Sequence, residues 1–237
     1  MSRLRHSFLW FCLIANSIAA YRQKRYTQQP EPIGKGVQVH VEVLYDKTLF
    51  EEYSARRLEG GPEAAILEDF GAMFRKVQEV FNNASVMIEI TVESTTKNDN
   101  LSVIFHGMQI SLDGPETLDH LKKYGEGQTK SNDTVFCYFT RRDILRATKR
   151  GDQIPIELMT IETPGSFCTQ EVSAALVRYW SGAYQIPAEA LARIFGSLRY
   201  PRFYWRDRML MNKTFSHCHV SASKESQRSS DGGVVEN

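Results

Sequence analysis

Glu189, Arg193 and Arg199 are the side chains whose types and spacing most invite a chemical reading. Glu189 and Arg193 stand four residues apart in Ala188–Leu198, a segment whose apolar residues recur at helical spacing. The acid lies on the N-terminal side, the better orientation for an ion pair along a helix. Gly196 breaks the pattern, and Arg199 follows the break within reach of the same place. Arginine stays protonated and offers only hydrogen-bond donors, so it attracts anions and cannot ligate a cation. Ala190, between the two charges, has nothing to accept a proton. Alternatively, the segment is a plain amphipathic helix whose charges point into solvent.

Other chemistry is sparse. His217 and His219 flank Cys218 at i and i+2, which on a strand would place both imidazoles on one face. Two ligands without a nearby carboxylate are too few for a metal site, so they read as surface residues. His40, His106 and His120 are isolated. There is no G-x-S-x-G turn, no phosphate-binding glycine loop and no catalytic Cys/His spacing. The formal net charge of +1 gives the whole chain no strong pull toward nucleic acid or anionic lipid, so neither is expected as a partner.

The elements that would position these residues follow from patterning. Val37–Val43 alternates as a half-buried strand. Gly60-Gly61-Pro62 breaks the chain, and Ile66, Phe70, Phe74, Val77 and Phe81 mark an amphipathic helix over Glu63–Asn82 with proline at its start. Val86–Val92 alternates again, and Leu101–Phe105 reads as a further strand. Asp113-Gly114-Pro115 opens a second helix running to Tyr124. Asp133–Thr140 is apolar enough for a central strand, and Val172–Tyr179 for another. Strands alternating with helices predict one α/β domain.

The ends read differently. Arg3, Arg5 and His6, the apolar run Phe8–Ile14 and the small residues Ser17–Ala20 form a secretory signal peptide over residues 1–20. Residues 21–36 read as a leader; Arg22-Gln23-Lys24-Arg25 is either a proprotein-convertase site or a solvated basic stretch. The domain is expected over 37–220, followed by a disordered tail, 221–237, rich in Ser, Lys, Glu and Gly. Sequons begin at Asn83, Asn100, Asn132 and Asn212, candidate N-glycosylation sites in an exported chain. With Cys12 in the signal, Cys137, Cys168 and Cys218 remain, an odd number that leaves one free thiol or an intermolecular bond.

Val37–Tyr45, the helix from Glu63, Asn132-Asp133-Thr134-Val135-Phe136, Thr140-Arg141-Arg142-Asp143, Gly165-Ser166-Phe167-Cys168-Thr169 and Ser173–Val177, in that order, resemble the reprolysin-like metzincins. The resemblance is strongest to the salivary zinc metalloproteases of blood-feeding arthropods such as ticks, and it covers Val37 to Cys218. It implies a single domain with a mixed, mainly parallel sheet, long helices and a cleft floored by the active-site helix. That family's helix reads A-H-E-L-G-H-x-x-G-x-x-H, three histidines holding zinc and a glutamate polarising water. Here Ala188, Leu191 and Gly196 match its apolar frame, while Glu189, Arg193 and Arg199 stand at the histidine positions and Ala190 at the glutamate.

The resemblance therefore implies a degenerate, secreted pseudoprotease with no zinc, no other cofactor and no catalytic residue. Its role would be to bind a protein ligand, such as a host extracellular factor. The competing expectation is an active zinc metalloendopeptidase with an unrecognised metal site. The short interval before Val37, without the family's long inhibitory prosegment, would agree with inactivity or equally with a truncated gene product. Met209 and Met211 fall where the family carries its Met-turn, and Thr214–Cys218 resembles the sequence that follows it. The family's partner cysteine is absent from Arg202–Asp207, so the resemblance points to Cys168 as the partner of Cys218.

Overall fold

Val37, Val39, Val41 and Val43 all point to one face of strand β1 (Ile33–Tyr45) and are buried there. The computed structural model describes residues 30–56, 60–128, 130–148 and 154–219. The signal pattern, Arg22–Arg25, Cys12 and the tail 221–237 lie outside the described residues. β1 begins at Ile33, ahead of the start at Val37 expected from alternation, so part of the supposed leader belongs to the sheet. The Ile33 N–H donates to the Ser85 carbonyl and the residue pairs with Val86, contacts that alternation alone does not announce.

The valine face of β1 is covered by helix α2 (Pro62–Asn83), which buries Ile66, Phe70, Phe74, Val77 and Phe81 at intervals of three and four. Proline in the first turn fits because that N–H has no partner inside the helix. Ahead of it, α1 (Lys47–Ala55) is started by Asp46, whose Oδ1 accepts the N–H groups of Thr48 at 3.1 Å and Leu49 at 3.3 Å. Thr140 Oγ1 donates to the other Asp46 oxygen at 2.7 Å, tying α1 to the end of the strand Thr134–Thr140.

The main sheet has the order β2-β1-β4-β8-β7, with β2 (Val86–Lys97), β4 (Thr134–Thr140), β8 (Ser173–Arg178) and β7 (Thr160–Glu162). All neighbours are parallel except β7 on β8. β4 is buried along its whole length because both faces are covered. Val135, Cys137 and Phe139 face α2, while Phe136 and Tyr138 join Leu118 and Leu121 of α3 (Gly114–Glu126) on the other face. A small second sheet orders β3 (Ser111–Asp113), β5 (Asp143–Arg146) and β6 (Ile156–Leu158). The described residues from Ile33 onward thus form one mixed α/β domain with a mainly parallel sheet and long helices.

Two differences from the sequence reading have local causes. Leu101–Phe105 is not a strand: a 3-10 turn (Asp99–Leu101) is followed only by a bridge from Ile104 to Leu112. The Thr117 side chain takes the Val103 N–H at 3.1 Å, a backbone group that a ladder would have used. The helix expected over Ala188–Leu198 is α4 (Gln185–Ile194), one turn shorter at its C-terminal end. Gly196 at φ 96° stops it, with its N–H on the Arg193 carbonyl and the Ser197 N–H on that of Ala192.

The last helix, α5 (Trp205–Phe215), packs Met211 and Phe215 onto the same core as α2 and α4. Phe195 centres this junction, with ring centroids 5.4 Å from Phe81, 5.0 Å from Phe167 and 5.3 Å from Phe215. Edge-on pairs of this kind each contribute about 0.5–1.5 kcal/mol beyond the area they bury.

Candidate functional site

The inner face of α4 is apolar: Ala188, Ala190, Leu191, Ala192 and Ile194 are all buried in the core. Ala190, at the position the resemblance assigns to a water-polarising glutamate, sits among these side chains. Glu189 and Arg193 face the other way. Arg193 Nη2 donates to Glu189 Oε1 at 2.5 Å, one turn along the helix. Its Nη1 donates to Glu162 Oε1 at 3.1 Å, on the antiparallel edge strand β7. The Glu162 side chain is only 6% exposed, against 43% for Arg193. Glu162 Oε2 also accepts from Thr160 Oγ1 at 3.2 Å. Burial lowers the basicity of Arg193, but the Glu162 and Glu189 carboxylates outweigh it and hold the guanidinium above its ordinary value.

Arg199 does not join this group. Its backbone N–H turns to Asp207 Oδ1 at 3.1 Å and Ser197 Oγ at 3.3 Å, and its guanidinium lies 5.9 Å from the Tyr204 ring centroid. The structure brings together two of the three charged motif positions and adds Glu162, which the sequence reading missed. Glu162 lies in a three-residue strand with no periodic signal, and only its acidic type could have flagged it.

These residues do not fit zinc. A protein zinc site needs at least three donors that carry a free lone pair. Arg193 supplies none and already holds both nearby carboxylates, Arg199 points elsewhere, and Glu189 with Glu162 makes two donor residues, one short of three. Among the described residues, no three His, Cys, Asp or Glu side chains converge to hold a metal ion.

Met209 and Met211 both lie within α5, so the Met-turn expected there is a helix. Met211 is buried core and Met209 is exposed. His217 lies in the turn after α5 and His219 is in no strand, which removes the geometric basis for pairing the two imidazoles. Cys168 and Cys218 are joined by a disulfide across fifty residues, with Cα atoms 5.0 Å apart. Cys137 is free and buried in β4, where burial pushes its thiol up to about 12. The sequon residues Asn83, Asn100, Asn132 and Asn212 are all exposed.

Two surface pockets lie elsewhere, and neither is lined by Glu189, Arg193 or Arg199. One, of about 190 Å³, opens where β8 runs into α4 and is lined by Asp69, Met73, Lys76, Tyr179, Ser181 and Tyr184. Behind it Tyr53 Oη donates to Asp69 Oδ2 at 2.6 Å and lies 2.6 Å from Tyr179 Oη. Burial, with the nearby Asp69 carboxylate, pushes both hydroxyls up, so both remain phenols near neutral pH. The other, of about 450 Å³, lies at the N-terminal ends of β4 and β8, between Lys130, Asn132 and Glu171.

No protein-family model matches this chain, and no curated protein matches it. Among solved structures, the chain is similar to metalloproteinase-II from Bacteroides fragilis, with TM-score 0.43 and 12% identity over 78% of this chain and 55% of that one. It is also similar to a chain from a chaperone–substrate complex, with TM-score 0.45 and 5% identity over 71% of this chain and 28% of that one.

Proposed function

We propose that this protein is a secreted, catalytically inactive homologue of the zinc metalloendopeptidases that acts by binding a protein ligand. The observation that carries the reading is the pairing of Arg193 with Glu189 and Glu162. The motif position that would carry a zinc ligand instead carries a fixed positive charge, paired with two carboxylates. A dication brought there would meet a guanidinium and would have to displace it from both partners. Ala190, buried among apolar side chains, has no group to accept a proton at the position the resemblance assigns to a glutamate.

Export is supported by the N-terminal pattern, and a disulfide between Cys168 and Cys218 suits an oxidising compartment. Among the described residues no helix is long and apolar enough to cross a membrane. In the setting that the resemblance implies, the ligand is an extracellular protein of a host.

Metal analysis of the purified, dialysed protein tests the reading, together with casein and gelatin cleavage in calcium-containing buffer. The expected result is no zinc and no cleavage. Stoichiometric zinc, or proteolysis abolished by a chelator, would overturn it in favour of an active endopeptidase.

A further inference from the structure

The segment from Leu198 to Met209 joins α4 to α5 and starts the last helix. Four large apolar side chains within it are exposed: Leu198 at 66%, Tyr204 at 49%, Trp205 at 75% and Met209 at 52%. Arg199, Arg202 and Arg206 are exposed among them. Among the described residues, none of these three arginines has a carboxylate within ion-pair distance. The segment's one acid, Asp207, is 3% exposed and turned inward. It accepts the N–H groups of Leu198, Arg199 and Tyr204 and the Ser197 hydroxyl, so its charge is already met by four donors.

These bonds also tie the loop to the first turn of α5. Leu198, Arg199 and Tyr204 are gathered around one carboxylate, and Trp205, Arg206 and Met209 follow within the first turns of α5. Phe203 anchors the loop, its ring stacked on Phe81 at 5.6 Å. The far end of α5 is held by the Cys168–Cys218 disulfide. An exposed tryptophan, tyrosine and methionine set among arginines on a rigid support match the composition of protein-interface centres, where aromatics, methionine and arginine are enriched and lysine is depleted. Unpaired guanidiniums on the rim supply charge complementarity toward carboxylates.

We propose that the surface formed by Leu198, Arg199, Arg202, Trp205, Arg206 and Met209 docks an acidic segment of a protein ligand that also carries apolar or aromatic side chains. This rests on the reading of the protein as a binder of protein ligands. Trp205 and Met209 take the apolar side chains, and the three arginines pair with the flanking carboxylates.

Fluorescence anisotropy of the full secreted chain with a labelled peptide of alternating Glu and Tyr tests the proposal. The same peptide with Lys in place of Glu, phosphatidylserine vesicles and heparin serve as competing probes. The acidic peptide is expected to bind, more weakly as salt rises, and the basic one not to bind. Trp205→Ala and the double variant Arg202→Glu/Arg206→Glu should each weaken binding about tenfold or more, with an unchanged circular dichroism spectrum and melting temperature. Failure of the acidic peptide to bind would overturn the proposal. Equal binding by the variants would do the same, as would a preference for vesicles or heparin that is lost in those variants. Zinc content and proteolysis on the same preparation separate this proposal from the functional reading. An inert protein that ignores the peptide leaves inactivity standing without this docking site. A zinc-loaded protease that binds the peptide through Trp205 leaves the site standing without inactivity.

Discussion

Two neighbouring arginine-bearing regions use the same side chain in opposite ways. On α4, Arg193 is held between Glu189 and the nearly buried Glu162. Beyond the Gly196 turn, Arg199, Arg202 and Arg206 lie exposed around Trp205 while the acid beside them, Asp207, faces inward. The first arrangement satisfies every charge within the fold. The second spends its carboxylate on backbone N–H groups and leaves these three guanidiniums without an ion pair among the described residues. Position relative to the core decides which side chains are structural and which can meet a ligand, since a buried carboxylate cannot stay unpaired and an exposed guanidinium can.

Asp207→Ala should have the largest effect, because it removes the acceptor of four hydrogen bonds at once. A loss of about 3 kcal/mol is expected, read from denaturant unfolding, with weaker peptide binding as the loop loosens. Stability unchanged by this substitution would show that the exposed surface is not held by its acid.

Arg193→Ala should come next. It leaves Glu162 buried without its cation, and a cost of about 2 kcal/mol is expected, reduced from that of a fully buried pair because water reaches Arg193. The companion variant Glu162→Gln/Arg193→Met, which removes both charges, should recover part of that loss. If the double variant is worse than the single one, the pair is not what stabilises the junction of α4 and β7.

Glu189→Ala should matter less, about 0.2–0.5 kcal/mol, since it is the outer partner and Arg193 keeps Glu162. A drop in melting temperature as large as that of Arg193→Ala would reverse this ranking. Smallest of all, single alanine substitutions at Arg199, Arg202 and Arg206 should leave the melting temperature within error while weakening the acidic peptide. Any of the three that destabilises the fold would move from the second class of arginine to the first.

How far these regions could be read from the chain differs in a way that follows from their contacts. Glu189 and Arg193 are one helical turn apart, so their meeting depends only on local geometry and was legible. Glu189 was expected to meet Arg193, Arg199 or both, and it meets Arg193 alone. The turn at Gly196 sends the Arg199 backbone to Asp207 and its side chain to Tyr204, through contacts that form only once α5 has docked. Helices α1 and α5 were themselves missed. α5 carries a weak apolar stripe, and the pattern Arg-Asp-Arg-Met-Leu-Met-Asn-Lys over 206–213 looks like solvated chain until Met211 and Phe215 find the Phe195 cluster.

The sequence by itself determined the valine alternation of β1, the apolar stripe of α2, the buried strand β4 and hence an α/β domain, because each of these rests on a period within one element; the mainly parallel sheet was what the resemblance implied. Only the tertiary structure decided that Glu162 shares Arg193, that Ala190 lies in the core, that Met209 and Met211 occupy a helix, and that Arg199, Arg202 and Arg206 are exposed while Arg208 is buried against the Ala84 carbonyl. Each of those facts depends on which elements pack together over tens of residues of separation, and burial, which fixes whether a charge must be paired, is a property of that packing and not of any local spacing.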